Sequence, residues 1–441
     1  MADEGRETGL TRRVSLVGLT FYGVGNILGA GIYALIGPVV GSAGNMAWLP
    51  FVVTAFIGLL TGLSYAELSS MYPKSAASFV YVDRAFKIRV LSFILGWVVV
   101  FSGLFSAATV ALGFGSYLAA LLGLSGLEVV VALAAVLIVV MSVVNYVGIR
   151  ESTWTNILFT LIEAGGLFLI IFLGIPFLGS VNYLELPVGG SILNLVSTVN
   201  LVFFAYLGFE VVANLAEEGV DAKRTVPKAI IYSIIITTVI YCLVSVSVVS
   251  ILPYDVIAAS PAPLKTVVLS VLGPVGGVLM SFIALFATAN TVLIVLVTTS
   301  RLVYGMARDK ALPAPLCRVS VKRHTPGVAV VFVMLLSLLL LLLGDIEIVA
   351  NSTVFGILIV FIFVNLSVLV LRRRSPDADR PFKIGFNLKW MPVTAIAGAV
   401  ICTLLLFSFD PLIILLQLVI IVVGIVLFIG LGKSISRSSC E

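Results

Sequence analysis

The sequence predicts an all-α integral membrane protein of twelve transmembrane helices, and three observations carry that reading. Charge is scarce: 26 Lys and Arg with 21 Asp and Glu make up 11% of 441 residues, where a soluble globular chain carries roughly 25%. Apolar residues form 61% of the chain and the mean hydropathy is +1.22, so most of the backbone must lie in lipid and close its own hydrogen bonds. The apolar runs are long and lack the alternation of barrel strands, which selects helices.

A hydrocarbon core of ~30 Å takes ~20 apolar residues per helix. The runs fall in order at 15–36, 46–70, 91–122, 127–147, 154–178, 192–217, 229–252, 268–304, 327–343, 346–371, 391–408 and 412–432. The first continues past the length of a signal-peptide core into further spans, so it is expected to stay in the protein. Charge marks every second boundary. Arg6, Arg12 and Arg13 precede span one; Lys74, Arg84, Lys87 and Arg89 separate spans two and three; Arg150 follows span four; Lys223, Arg224 and Lys228 precede span seven. Arg301, Arg308, Lys310, Arg318, Lys322 and Arg323 follow or end span eight, while Arg372, Arg373, Arg374, Arg380, Lys383 and Lys389 follow span ten, and Lys433 and Arg437 follow span twelve.

Twelve spans thus place 25 of the 26 basic residues on one side, with Lys265 alone on the other. An excess of Lys and Arg marks the cytoplasmic side, so both termini are expected inside, in a multi-pass protein of the plasma membrane. The pI near 9.0 then reflects topology, with a minor contribution from contact with anionic lipid. Nucleic acid is not an expected partner.

Composition excludes further chemistries. The single histidine, His324, lies in a polar loop, which leaves no His-based triad or multi-histidine metal site. Cys242, Cys317, Cys402 and Cys440 stand far apart and read as lone thiols, with neither a zinc site nor a disulfide framework. No metal and no cofactor is expected. The longest polar stretches, 1–13, 72–90, 305–326 and 372–389, are too short to hold a soluble catalytic module. Residues 1–441 therefore read as one membrane domain. A membrane enzyme would show His, Asp or Glu clusters near one interface, and a channel would show rings of like residues; neither is present, and a transporter is the leading reading.

Two spans are interrupted. Span one contains Gly23, Gly25, Gly29, Gly31 and Gly37, with Asn26 among them, and span six contains Phe204-Ala205-Tyr206-Leu207-Gly208-Phe209-Glu210. Single glycines in spans usually serve close helix packing. A matched pair of interrupted spans, one in each half, instead points to a transporter site of broken helices, because unwound backbone at membrane depth must line a protein cavity.

These residues resemble the amino acid-polyamine-organocation (APC) superfamily, near its prokaryotic amino acid permeases and its cationic amino acid transporter branch. Gly29-Ala30-Gly31-Ile32 looks like the family's break in span one. Tyr65-Ala66-Glu67-Leu68, Tyr72-Pro73-Lys74-Ser75 and Phe79-Val80-Tyr81 look like its signature after span two. Phe204 to Glu210 with Glu217, Glu218 and Pro227 resembles its span six, Ser300-Arg301 with Met306-Ala307-Arg308-Asp309 the end of span eight, and Arg380-Pro381-Phe382 its motif before span eleven. The resemblance implies the LeuT-type fold, with inverted repeats over about 15–178 and 192–371, helices 1 and 6 broken, and peripheral helices over about 391–432.

A broken helix suits an amino acid. Its second half begins with free N–H groups and the positive dipole end for a carboxylate, and its first half ends with free carbonyls for an ammonium. The carboxylate is assigned to Ala30, Gly31 and Ile32 beside Gly29, and the ammonium to carbonyls near Asn26, Ile27, Phe203, Phe204 and Tyr206, with Gly208 freeing the backbone. By resemblance, Phe204 or Tyr206 acts as an aromatic gate; simple bundle core is the alternative for each.

Glu163 lies about ten residues into span five, where a charged carboxylate costs at least a few kcal/mol, so it is expected protonated or paired. In many members of the family that this chain resembles, this position looks like a lysine in the place of a sodium ion between spans one, five and eight; this chain has Glu. Either Glu163 carries a proton through the cycle, or it holds a cation with Asn290 or Thr291 of span eight nearby, or it is neutral and purely structural; the proton is favoured. Glu210 reads as a helix-start carboxylate, a gate, or a partner for a cationic substrate. Glu67, Glu217 and Glu218 are expected at the inner surface near Arg84, Arg301 and Arg308, as inner-gate ion pairs or solvated ends. The expected partners are an amino acid, or alternatively a polyamine or other organic amine moved by exchange or uniport, together with membrane lipid and protons.

Overall fold

The first apolar run folds as two helices, α1 (Leu16–Leu28) and α2 (Ala30–Ala43), whose directions differ by 43° across Gly29. A computed structural model describes residues 14–73, 77–147, 153–185, 192–214, 216, 219–308, 311–320 and 325–432. Glu217, Glu218, His324 and Cys440 lie outside them.

The following runs become α3 (Trp48–Met71), α4 (Ala77–Phe86), α5 (Arg89–Leu122), α6 (Leu127–Val147), α7 (Thr153–Gly174), α8 (Ile192–Tyr206) and the short α9 (Val211–Asn214). Then come α10 (Ala222–Ile251), α11 (Tyr254–Ala258), α12 (Pro263–Arg308), α13 (Gly327–Leu341), α14 (Ile346–Arg374), α15 (Val393–Leu406) and α16 (Pro411–Gly432). The protein is all-helical apart from a two-stranded hairpin of Asn387–Leu388 and Met391–Pro392. Among the described residues, nine helices are long and apolar enough to cross a membrane, and ten when the bent α1–α2 pair is one span. The ninth and eleventh predicted runs form α13 and α15, of only 15 and 14 residues, shorter than a full ~20-residue crossing.

The run at 192–217 is the second broken one. Helix stops at Tyr206, residues 207–210 are unwound, and α9 resumes at Val211. The long α12 holds a further kink at Gly273, with φ of 70° before Pro274; proline disfavours helical geometry in the residue before it, and glycine accepts the left-handed alternative.

The aromatic and β-branched core runs through α1, α2, α3, α5, α8, α10, α12 and α14. Helix α16 packs against α5 and α14 and adds Ile413 and Ile420 to the core; Trp97 Nε1 donates to the Ile420 carbonyl at 2.9 Å and Gln417 Nε2 to that of Ser352 at 2.8 Å. Lys265, the cation expected apart from the others, donates to the Ala120 carbonyl at 2.6 Å in the last turn of α5, the favourable place for a cation on a helix dipole. Cys242 and Cys402 are free thiols.

Candidate functional site

The two breaks meet. A Cβ on Gly31 would lie 2.7 Å from the Ala205 Cα, so the start of α2 and the end of α8 touch backbone to backbone, and only glycine permits it. Gly208 has φ of +129°, and a Cβ there would lie 2.9 Å from the Asn26 carbonyl carbon. The unwound turn of one broken span thus rests on the last turn of the other.

The polar groups at this junction are met from neighbouring helices. Ala30 N–H, the first of α2, donates to Thr291 Oγ1 of α12 at 3.2 Å. The Tyr241 hydroxyl of α10 lies 2.5 Å from the Ile27 carbonyl oxygen and 3.1 Å from that of Ala205. Both carbonyls belong to last turns of helices, which lack an intrahelical partner, and one hydroxyl hydrogen serves the two. Asn26 Nδ2 donates back to the Tyr22 carbonyl at 3.0 Å. Glu210 Oε2 accepts the Gly208 N–H at 2.9 Å, so this carboxylate holds the unwound turn immediately before α9.

The aromatics expected at the site are firmly packed. Phe203, expected to offer its carbonyl, is fully buried with its ring 6.1 Å from that of Phe361, and Phe204, one of the two expected gates, is buried as well. The Tyr206 hydroxyl lies 3.0 Å from both the Phe51 carbonyl and Thr238 Oγ1, and its ring stands edge-on to Tyr241 at 5.6 Å.

Glu163 is 2% exposed. Its Oε1 accepts from Asn290 Nδ2 at 3.3 Å, and its own carbonyl accepts from the Tyr33 hydroxyl at 2.5 Å. The Tyr33 carbonyl accepts from the Tyr117 hydroxyl at 3.1 Å, and that oxygen accepts the Leu264 N–H at 3.3 Å. Two consecutive residues of α12 therefore serve two functions: Asn290 holds the carboxylate of α7, and Thr291 holds the opening N–H of α2. Asn290 was legible as a neighbour of Glu163, whereas Thr291, expected beside the same carboxylate, meets Ala30 N–H instead. Tyr33, Tyr117 and Tyr241 were not legible, because a tyrosine in an apolar run reads as ordinary core.

At the basic end, Glu67 of α3 is 1% exposed. It accepts from Arg372 Nε at 2.8 Å, from Arg372 Nη2 at 2.5 Å and from the Ile384 N–H at 2.9 Å, with Arg380 Nε at 3.5 Å. The segment after α14 folds back over the end of α3: Asn387 Oδ1 receives Arg372 Nη1, and Phe382 N–H donates to Ser70 Oγ at 3.2 Å. This corrects the expected pairing. Glu67 is not an exposed partner of Arg301; Arg301 is exposed and, among the described residues, joins no ion pair. The sequence motifs around Tyr65, Tyr81 and Arg380 converge here, with the Tyr65 hydroxyl 2.7 Å from Ser78 Oγ and its ring 6.0 Å from Tyr81.

Comparison with known proteins fits this geometry. A family model described as amino acid permease matches residues 14–429. The chain is 28% identical to the branched-chain amino acid permease BcaP of Bacillus subtilis, over 98% of this chain and 95% of that protein. It is 31% identical to the human large neutral amino acids transporter small subunit 2, over 96% of this chain and 81% of that protein. It is also 26% identical to the methylthioribose transporter of Bacillus subtilis, over 92% and 90% of the two chains.

Proposed function

The chain belongs to the amino acid permease family of the APC superfamily, a family of membrane transporters and not of enzymes, and from that premise we propose that it carries an amino acid across the plasma membrane by alternating access, coupled to a proton. The observation that carries this reading is the junction of the two broken helices, where Gly31 meets Ala205 and Gly208 meets Asn26.

The opening N–H groups of α2 at Ala30, Gly31 and Ile32 take the substrate carboxylate, in the field of the helix dipole. Carbonyls at the ends of α1 and α8, from Asn26, Ile27, Phe203, Phe204 and Tyr206, take the ammonium. Thr291 and Tyr241, which meet Ala30 and Ile27 in this structure, stand where the two substrate charges would compete for the same backbone groups. Glu163 carries the proton, and its link through Asn290 and Thr291 to the break ties its protonation to occupancy of the site. Phe204 or Tyr206 gates the substrate, and Glu210 holds the break of the sixth span. The same reading takes the chain as twelve spans with the LeuT-type inverted repeat, α15 and α16 peripheral, and the basic end with both termini in the cytoplasm.

A thermal-stability screen of the purified protein against the standard amino acids, polyamines and methylthioribose tests the substrate class, since a ligand that binds only the folded state raises apparent stability. A subset of amino acids is expected to raise the transition while amines without a carboxylate do not. Stabilisation by polyamines or methylthioribose alone would contradict the assignment.

A further inference from the structure

At the basic end, away from the helix breaks, a cavity of about 470 Å³ opens between the ends of α3, α4 and α14. It is lined by Tyr72, Arg84, Lys87, Leu371, Arg374 and Ser375. Three of these six are cations and none is an acid. Among the described residues, no ion pair neutralises Arg84, Lys87 or Arg374. Arg374 is fixed in place by donating Nη1 to the Ala85 carbonyl at 2.6 Å, so the guanidinium is set by the fold and does not swing freely. Lys87 has φ of 57°, at the residue just past α4 where glycine or asparagine is the ordinary choice; the chain accepts a left-handed lysine there, at a cost. The cavity lies at the C-terminal end of α14, a helix of 29 residues, with Tyr72 among its lining residues. Cations and aromatic residues at the end of a membrane-spanning helix mark the depth at which lipid headgroups lie.

We propose that this cavity binds a phosphate group, presented by an anionic phospholipid or free in solution. Three like charges round one space repel one another, and a phosphate relieves that repulsion while accepting from several donors at once. Tyr72 offers aromatic surface to the glycerol and upper acyl region, which free phosphate does not use.

The test is a titration of the purified full-length protein in detergent, at fixed ionic strength, read by thermal stability and by native mass spectrometry of bound lipid. The probes are dioctanoyl phosphatidylglycerol, dioctanoyl phosphatidylcholine and inorganic phosphate. Arg84→Gln/Lys87→Gln changes two exposed side chains and leaves the Arg374 contact intact; Arg318→Gln/Lys228→Gln removes the same charge from exposed positions elsewhere. Phosphatidylglycerol is expected to raise the transition more than phosphatidylcholine, with binding about tenfold weaker in the Arg84/Lys87 variant only. Inorganic phosphate acting equally well assigns the site to free phosphate, and its failure assigns it to lipid. Equal response to the two lipids with none to phosphate, or equal loss in both variants, would overturn the proposal.

Discussion

The Tyr241 hydroxyl lies 2.5 Å from the carbonyl oxygen of Ile27, so one group of α10 closes the open end of α1 and, at 3.1 Å from Ala205, the open end of α8. Tyr241→Phe strips the donor while keeping the ring that packs on Phe51 and Tyr206. The variant is expected to fold with a loss of about 1 kcal/mol, measured by denaturation in detergent, and to show altered substrate affinity in the same preparation. An unchanged stability and affinity would show that the hydroxyl does not hold the breaks.

Gly31 and Gly208 face backbone atoms, not side chains able to move aside. Ala at either position forces an overlap within 3 Å of Ala205 or Asn26, and overpacking of this kind costs about 1–3 kcal/mol. Uptake is expected to fall by about tenfold or more while expression of the folded protein persists, as checked by size-exclusion chromatography beside the transport assay. By contrast, alanine at Gly165, which has open space around it, should leave uptake near wild type.

Glu163 and Asn290 are joined by a single hydrogen bond. Glu163→Gln keeps the shape and removes the proton site, so uptake driven by an inward proton gradient is expected to lose its dependence on external pH, while substrate-induced stabilisation remains. Full proton-dependent uptake by this variant would exclude Glu163 as the coupling residue.

The Glu67–Arg372 pair is buried and Arg380 Nε, 3.5 Å from the same carboxylate, makes no hydrogen bond to it, so removing Arg372 takes away both guanidinium hydrogen bonds of Glu67 and costs about 3–5 kcal/mol. Arg372→Met is therefore expected to lower thermal stability severely. The double variant Glu67→Gln/Arg372→Met should recover much of the loss, a coupling visible in a double-mutant cycle.

What the sequence made legible follows from what lipid forbids. The order of the apolar runs, the two glycine-rich breaks and the isolated carboxylate Glu163 are all departures that a membrane does not tolerate without reason. The partners of Glu67 were not legible, because Arg372 and Ile384 reach it only when a polar segment three hundred residues downstream folds back over α3. Nor were the tyrosines: Tyr33, Tyr117 and Tyr241 sit in apolar runs and differ from neighbouring core residues only in where one hydroxyl points. The shortness of α13 and α15 was hidden too, since apolar composition continues past the last helical turn of each.

The central claim is that the meeting of the two broken helices binds an amino acid for transport. It is tested most directly by uptake of labelled amino acids into proteoliposomes holding the purified protein, compared with Gly31→Ala. The account predicts uptake that saturates, is competed by the unlabelled amino acid, and is lost in the variant although the variant remains folded. A conductance that rises without saturation, or saturable uptake that Gly31→Ala leaves unchanged, would contradict it.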